Sequence, residues 1–194
     1  MLKETELRIL CSFFPEGKEI TIKKIMKKSG LSYEPVHRIV NSLAEKKLIS
    51  YKKFGKTFVC SLNFEKEDIK TAFFFYAKER LKEFSKNNRI VFNALSKVND
   101  ENIDFLAIFG SYAKGTQTKD SDLDVLCVSY NKKGDESNIK SLKYETNLEF
   151  APVVIPKIEF KKIKKENEIF WSDLVKFGII FKGYELFYSE AYLK

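Results

Sequence analysis

The sequence predicts an α+β protein: an N-terminal unit of three helices and a hairpin, a helical connector, and a C-terminal mixed sheet flanked by helices. Three observations carry this expectation. Apolar residues recur at helical spacing from Thr5 to Lys46, followed by two β-prone stretches around a Gly-containing turn. Residues 65–98 contain neither Pro nor Gly, which suits uninterrupted helix. From Ile103 the period changes to short, near-continuous apolar runs, the pattern of buried strands. The expected domains are 1–64, a connector over 65–98, and 99–194.

The chain has 194 residues, 44% hydrophobic and 32% charged, enough for one large domain or two small ones. No apolar run reaches the roughly 18 residues of a membrane span. The start, MLKETELRIL, carries acids and lacks the basic-then-apolar layout of a signal peptide. Cys11, Cys60 and Cys127 make neither a CxxC knuckle nor a disulfide framework, so reduced thiols, no membrane partner and a cytoplasmic location are expected. Charge is unevenly divided. Residues 1–64 hold 13 Lys and Arg against 6 Asp and Glu, while 65–194 hold 22 against 21. A basic small domain beside a near-neutral larger one points either to a polyanion partner or to a Lys-rich solvated surface.

In the first third, Leu7, Ile9, Leu10 and Phe13 or Phe14 form the stripe of a helix over Thr5–Phe14, stopped by Pro15-Glu16-Gly17. Thr21–Lys28 reads as a second helix ended by Ser29-Gly30. Ser32 is the expected N-cap of a third helix reaching about Lys46, with Pro35 tolerated in its first turn and Val36, Ile39, Val40 and Leu43 inward. Leu48–Tyr51 and Thr57–Ser61 then flank the basic turn Lys52-Lys53-Phe54-Gly55-Lys56. The segment SGLSYEPVHRIVNSLAEKKLIS resembles the helix-turn-helix and following strand of the winged helix-turn-helix family. That resemblance implies double-stranded DNA as partner, with Tyr33, His37, Arg38 and Asn41 on the recognition helix and Lys52, Lys53 and Lys56 on the wing. An ordinary wet helix face and wing is the alternative. His37, the only histidine, lies off the apolar stripe and has no acid or nucleophile near it in sequence.

Residues 65–98 read as one long helix or two shorter ones. Phe73-Phe74-Phe75-Tyr76 is too apolar to face water over a whole turn, so one side packs on the chain's own core and another on a neighbouring domain or on a second subunit of a homodimer. Beyond it, strands are expected over Ile103–Phe109, Asp122–Ser129 and Leu148–Ile155, a polar loop over Asn131–Ser137, and helices over Ile139–Thr146, Lys157–Asn167 and Phe170–Phe177.

The chemistry gathers in GSYAKGTQTKDSDLDV, residues 110–125. Gly110 and Ser111 follow the first strand and open a helix, where a bare backbone and free amides can cradle a phosphate. Asp122 and Asp124 stand two apart on a strand, so both carboxylates face one way. Two acids crowded together repel and lose hydration, and a divalent cation relieves both costs. Ile-Phe-Gly-Ser, ten residues, then Asp122-Leu-Asp124-Val-Leu resembles the polymerase-β-like nucleotidyltransferase superfamily, in its minimal nucleotidyltransferase branch. Lys114 stands where Arg is usual, and Val125 where Leu is common. The resemblance implies Mg²⁺ or Mn²⁺ as cofactor and ATP or another nucleoside triphosphate as substrate. It implies that Gly110, Ser111, Lys114 and Ser121 bind nucleotide and that Asp122 and Asp124 are catalytic metal ligands. It further implies a third acid on the following strand, a catalytic metal ligand that helps activate the acceptor hydroxyl. Leu148-Glu149-Phe150 supplies Glu149, whereas alignment on VVIPKIEF puts Ala151 at that position. The family's acceptors include small molecules, RNA and proteins, a toxin partner among them. The leading expectation is a nucleotidyltransferase moving AMP from ATP; the alternative is a DNA-binding regulator or antitoxin-type protein whose domain binds nucleotide without efficient catalysis.

Overall fold

The computed structural model describes residues 2–55, 57–98 and 101–193. The chain divides into two compact units, one reaching Tyr76 and including the segment from Tyr192, the other Ala77–Ala191.

The first unit comprises α1 (Glu4–Cys11), β1 (Glu19–Thr21), α2 (Ile22–Ser29), α3 (Tyr33–Glu45), β2 (Ile49–Phe54), β3 (Thr57–Leu62) and the start of α4 (Glu67–Asn87). Thr21 caps α2, its side-chain oxygen accepting from the Lys24 amide at 3.2 Å. The expected stripes converge: Ile9, Leu10, Ile25, Val36, Val40 and Leu43 are buried, while Ile39 is half-buried at the margin. The strands form an antiparallel sheet in the order β1-β3-β2, with Ile49 opposite Leu62 and Phe54 opposite Thr57. β1 is a strand that the sequence pattern concealed, because in its three residues only Ile20 is buried. Glu6, almost wholly buried, ties α1 to the end of α3. Its carboxylate accepts from the Lys3 amide at 2.9 Å, from Lys46 at 2.6 Å and from the Ser42 hydroxyl at 3.4 Å.

The second unit takes the rest of α4, then α5 (Arg89–Ser96), β4 (Ile103–Ile108), α6 (Gly110–Lys114), β5 (Leu123–Ser129), α7 (Lys132–Ser141), α8 (Lys143–Thr146), β6 (Phe150–Ile155), α9 (Lys157–Glu166), α10 (Glu168–Phe177), β7 (Ile179–Lys182) and α11 (Tyr184–Tyr188), and ends at Ala191 within a π-helical turn, Ser189–Leu193, whose last two residues belong to the first unit. The sheet order is β6-β5-β4-β7; β4 runs antiparallel to both neighbours and β5 parallel to β6. One core joins Leu106, Ile108, Val125 and Cys127 from the central strands to Val91, Leu95 and Ile139 from the helices. The expected connector is two helices that part at Asn88, with Phe73 buried and Phe74 and Phe75 exposed.

One element differs from expectation. Asn131–Ser137 is not a loop: from Lys132 it is the first part of α7. The Asn131 side chain accepts from the Gly134 amide at 3.3 Å, so the cap offsets the poor helix propensity of that glycine. The helix expected over Ile139–Thr146 is accordingly divided between the end of α7 and α8. Pro152, set within a predicted strand, lies on β6 at the sheet edge, where a missing donor is tolerated. Among the described residues no helix is long and apolar enough to cross a membrane.

Candidate active site

β4 ends at a corner that β5 closes. The Phe109 amide donates to the Asp124 carbonyl at 3.0 Å, which draws the Gly110 turn against the strand from which Asp124 projects. Gly110 has φ +67°, and a side chain there would run into the Asp124 carboxylate. Only glycine meets both demands. Ser111 sits half-buried at the start of α6. The loop into β5 is shaped by Ser121, whose hydroxyl oxygen accepts from the Thr118 amide at 2.9 Å.

Asp122, just before β5, is exposed, and Asp124, within it, is half-buried. Burial, and then the like charge of Asp122, push the Asp124 carboxyl above the usual aspartate range. A divalent cation would relieve both causes; the donor set, two hard carboxylates beside a bare glycine backbone, fits Mg²⁺ or Mn²⁺.

The parallel register sets Leu123 beside Phe150 and Asp124 beside Ala151. Glu149 comes just before β6, and its carbonyl accepts from the Leu123 amide at 2.8 Å. Its side chain is 68% exposed and lies 3.6 Å from Lys143 Nζ. Among the described residues no three His, Cys, Asp or Glu side chains are grouped to hold a metal. The structure thus brings Asp124 to Gly110, with the charge of Asp122 near it, and leaves Glu149 outside the pair, with Ala151 directly beside Asp124.

Lys114 does not reach toward this corner unpaired. Its ammonium lies 2.6 Å from Asp173 Oδ2 and 5.4 Å from the centre of the Phe177 ring, fastening α6 to α10. Phe170, at the start of α10, packs edge-on against Phe109 with ring centres 5.1 Å apart. Asp173 and Phe170 thus support the corner, and the pair of Lys114 with Asp173 was not legible in the sequence: the two are 59 residues apart, and no local pattern joins them.

The residues expected to meet DNA lie in the first unit. Tyr33, 49% exposed, stacks on His37 with ring centres 5.6 Å apart. His37 Nδ1 lies 3.4 Å from Asn41 Nδ2, and its ring meets the edge of Phe58 from β3. Arg38, Lys52 and Lys53 are exposed, with Lys53 over the Phe58 ring. Lys56 lies outside the described residues. Cys11, Cys60 and Cys127 form no disulfide among the described residues, and burial pushes the Cys60 thiol up to about 11, the mark of a packing residue rather than a nucleophile.

Against this geometry the comparisons with known proteins can be set. Residues 89–181 match the family described as Nucleotidyltransferase domain. That segment, just under half of the chain, holds the Gly110 corner, both aspartates and Glu149. A comparison with curated proteins finds no match. Among solved structures, one described as "Crystal structure of the toxin-antitoxin with AMP-PNP" is similar at 19% identity over 54% of this chain and 83% of that one, with a TM-score of 0.38.

Proposed function

We propose that the second unit is a nucleotidyltransferase that transfers a nucleoside monophosphate, AMP from ATP, to an acceptor hydroxyl. The observation that carries the reading is Asp124. Its carboxylate is pressed against a positive-φ glycine, and burial and the neighbouring Asp122 raise its proton affinity. Asp122 and Asp124 would hold Mg²⁺ or Mn²⁺, which supplies Lewis-acid charge against the triphosphate. Gly110 and Ser111 would lie against the phosphates, with Ser121 shaping the loop and Lys114 adding positive charge from α6. In the reaction the acceptor oxygen bonds to the α-phosphorus, the bond from that phosphorus to the bridging oxygen breaks, and pyrophosphate leaves. Glu149, released from Lys143, would take the hydroxyl proton.

For the first unit we propose a winged helix-turn-helix over 1–64 that binds double-stranded DNA. Its recognition surface would be α3 (Tyr33, His37, Arg38, Asn41) and its wing Lys52, Lys53 and Lys56. The connector would be 65–98 and the transferase domain 99–194. The positive excess of residues 1–64 and the exposure of Tyr33, Arg38, Lys52 and Lys53 support this.

A second reading, nucleotide binding without efficient transfer in a regulator or antitoxin-type protein, is favoured by Ala151 beside Asp124 and by the outward Glu149. Transfer of label from α-³²P-ATP to a co-purified acceptor separates the two. The first reading expects Mg²⁺-dependent labelling that Asp122→Ala, Asp124→Ala and Glu149→Ala each abolish. Tight ATP binding with no transfer would establish the second. For DNA, the full chain should bind duplex with an affinity that falls steeply as salt rises. Arg38→Ala should weaken it, and absence of binding at low salt would refute the winged-helix reading.

A further inference from the structure

Where α3 meets the hairpin, the first unit carries a row of aromatic rings. Tyr33 stacks on His37 with ring centres 5.6 Å apart, His37 meets Phe58 edge-on at 6.3 Å, and Phe58 meets Tyr51 edge-on at 6.1 Å. Tyr33 and His37 stand four apart on α3, hence on one side of it. Lys53 lies opposite Phe58, and Tyr51 opposite Cys60, so Tyr51, Lys53 and Phe58 share one face of the sheet. The row is not core: Tyr33 is 49% and Tyr51 39% exposed, with His37 and Phe58 half-buried between them. Beside it on α3 an open cavity of about 490 Å³ is lined by Tyr33, His37, Arg38, Asn41, Glu34 and Glu45 among others.

The neighbouring charges favour a polyanion. Arg38, Lys52 and Lys53 are exposed, and Lys53 Nζ lies 5.9 Å from the centre of the Phe58 ring. The rings decide which polyanion. A duplex hides the faces of its bases in its own stack and presents only their edges and the phosphates. An unpaired strand presents the faces, and a base stacked on an aromatic side chain strengthens binding whatever its identity. The cavity fits the same ligand: its glutamates repel phosphate but can accept from the amino group of a base.

We propose that Tyr33, His37, Phe58 and Tyr51 form a stacking platform for single-stranded nucleic acid, whose phosphates lie along Arg38, Lys52 and Lys53. Tyr33 and Tyr51 take bases at the two ends of the row, and His37 and Phe58 hold the rings in line. The inference goes beyond the duplex reading and does not rest on it, because phosphate contact needs the cations alone and stacking needs the ring faces.

Fluorescence anisotropy of the full chain with labelled oligo(dT) and oligo(U) of about twelve nucleotides, beside a duplex of the same length, tests it at low salt. Saturable single-strand binding is expected, and the tighter of the two strands identifies DNA or RNA as the source. Tyr33→Leu and Tyr51→Leu, which keep apolar bulk but lose the ring, should each weaken it at least about fivefold. Tyr33→Phe and Tyr51→Phe should retain it, and Tyr51→Leu should leave duplex binding unchanged. Should Tyr51→Leu fail to fold, Tyr33→Leu, at the exposed first residue of α3, carries the test. Single-strand binding without duplex binding would support the platform and refute the duplex reading. Duplex binding alone, Leu variants that bind single strands as the Phe variants do, or equal loss of both ligands in Tyr51→Leu would overturn the platform.

Discussion

Glu6 and Asp124 are both carboxylates withdrawn from water, one in each unit, and they are treated oppositely. Burial pushes the Glu6 carboxyl up, but Lys46, the Lys3 amide and the Ser42 hydroxyl together hold it below the usual glutamate range. Burial also pushes Asp124 up, and its neighbouring charge, Asp122, pushes it further the same way. Glu6 is a fastening that the fold has completed. Asp124 is a charge for which the described residues supply no cation, and such an incomplete site is where a ligand contributes most.

The largest effect that would break this contrast is at Gly110. Gly110→Ala must adopt φ +67° and displace the Asp124 carboxylate, so it should cost about 2–3 kcal/mol of stability and remove nucleotide binding. Chemical denaturation and ATP titration check both. Next comes Glu6→Ala, which removes the shared acceptor of three donors. A loss of about 1–3 kcal/mol is expected, with nucleotide binding by the second unit unchanged. A neutral result would mean that α1 is held to α3 by apolar contact alone.

Isosteric neutralisation sharpens the comparison because the two signs differ. Glu6→Gln should lower the thermal midpoint. Asp124→Asn should raise it, by roughly 2 °C for a chain of this size, while abolishing Mg²⁺ binding. Acid does the same by titration. Glu6, and Glu16, which Lys24 and Lys28 hold down at about 2 against the effect of burial, contribute stability that is complete above the ordinary glutamate pKa. That contribution is lost as pH falls through their lowered values. Asp124 titrates above the ordinary aspartate range, so Mg²⁺ affinity measured against pH should begin to fall while Glu6 and Glu16 are still ionised. The smallest change is Lys114→Ala. It loses a half-exposed ion pair to Asp173, for about 0.2–1 kcal/mol, with a modest rise in the apparent Kd for ATP.

The corner of the candidate site was legible because its parts are local: a strand, Gly110-Ser111, and two aspartates one strand period apart. The place of Glu149 was not. It depends on which β6 residue falls beside Asp124, and register is set by packing across strands rather than by either strand's own residues. The sequence left Glu149 and Ala151 both open. The structure puts Ala151 in register with Asp124 and Glu149 just before β6. The reading of Asn131–Ser137 as a loop followed its polarity and Gly134, yet Asp135, Ile139 and Leu142 already stand at helical spacing. The buried polar residue in that stripe disguised it. β1 escaped notice because three residues carry too little periodicity to read.

Tyr192 has a consequence for the order in which the chain can fold. Its ring lies parallel to Phe64, at 5.6 Å, and against Phe14 at 5.3 Å, while its hydroxyl donates to the Pro15 carbonyl at 3.1 Å across 177 residues of sequence. Gly17, at φ +79°, leaves the space that this ring fills. During synthesis, then, the first unit waits with an open aromatic seam until the ribosome has passed residue 192, long after its own helices have emerged. A fragment ending at residue 64 or 76 inherits that seam unfilled, and should be stickier and less stable than the same residues in the full chain.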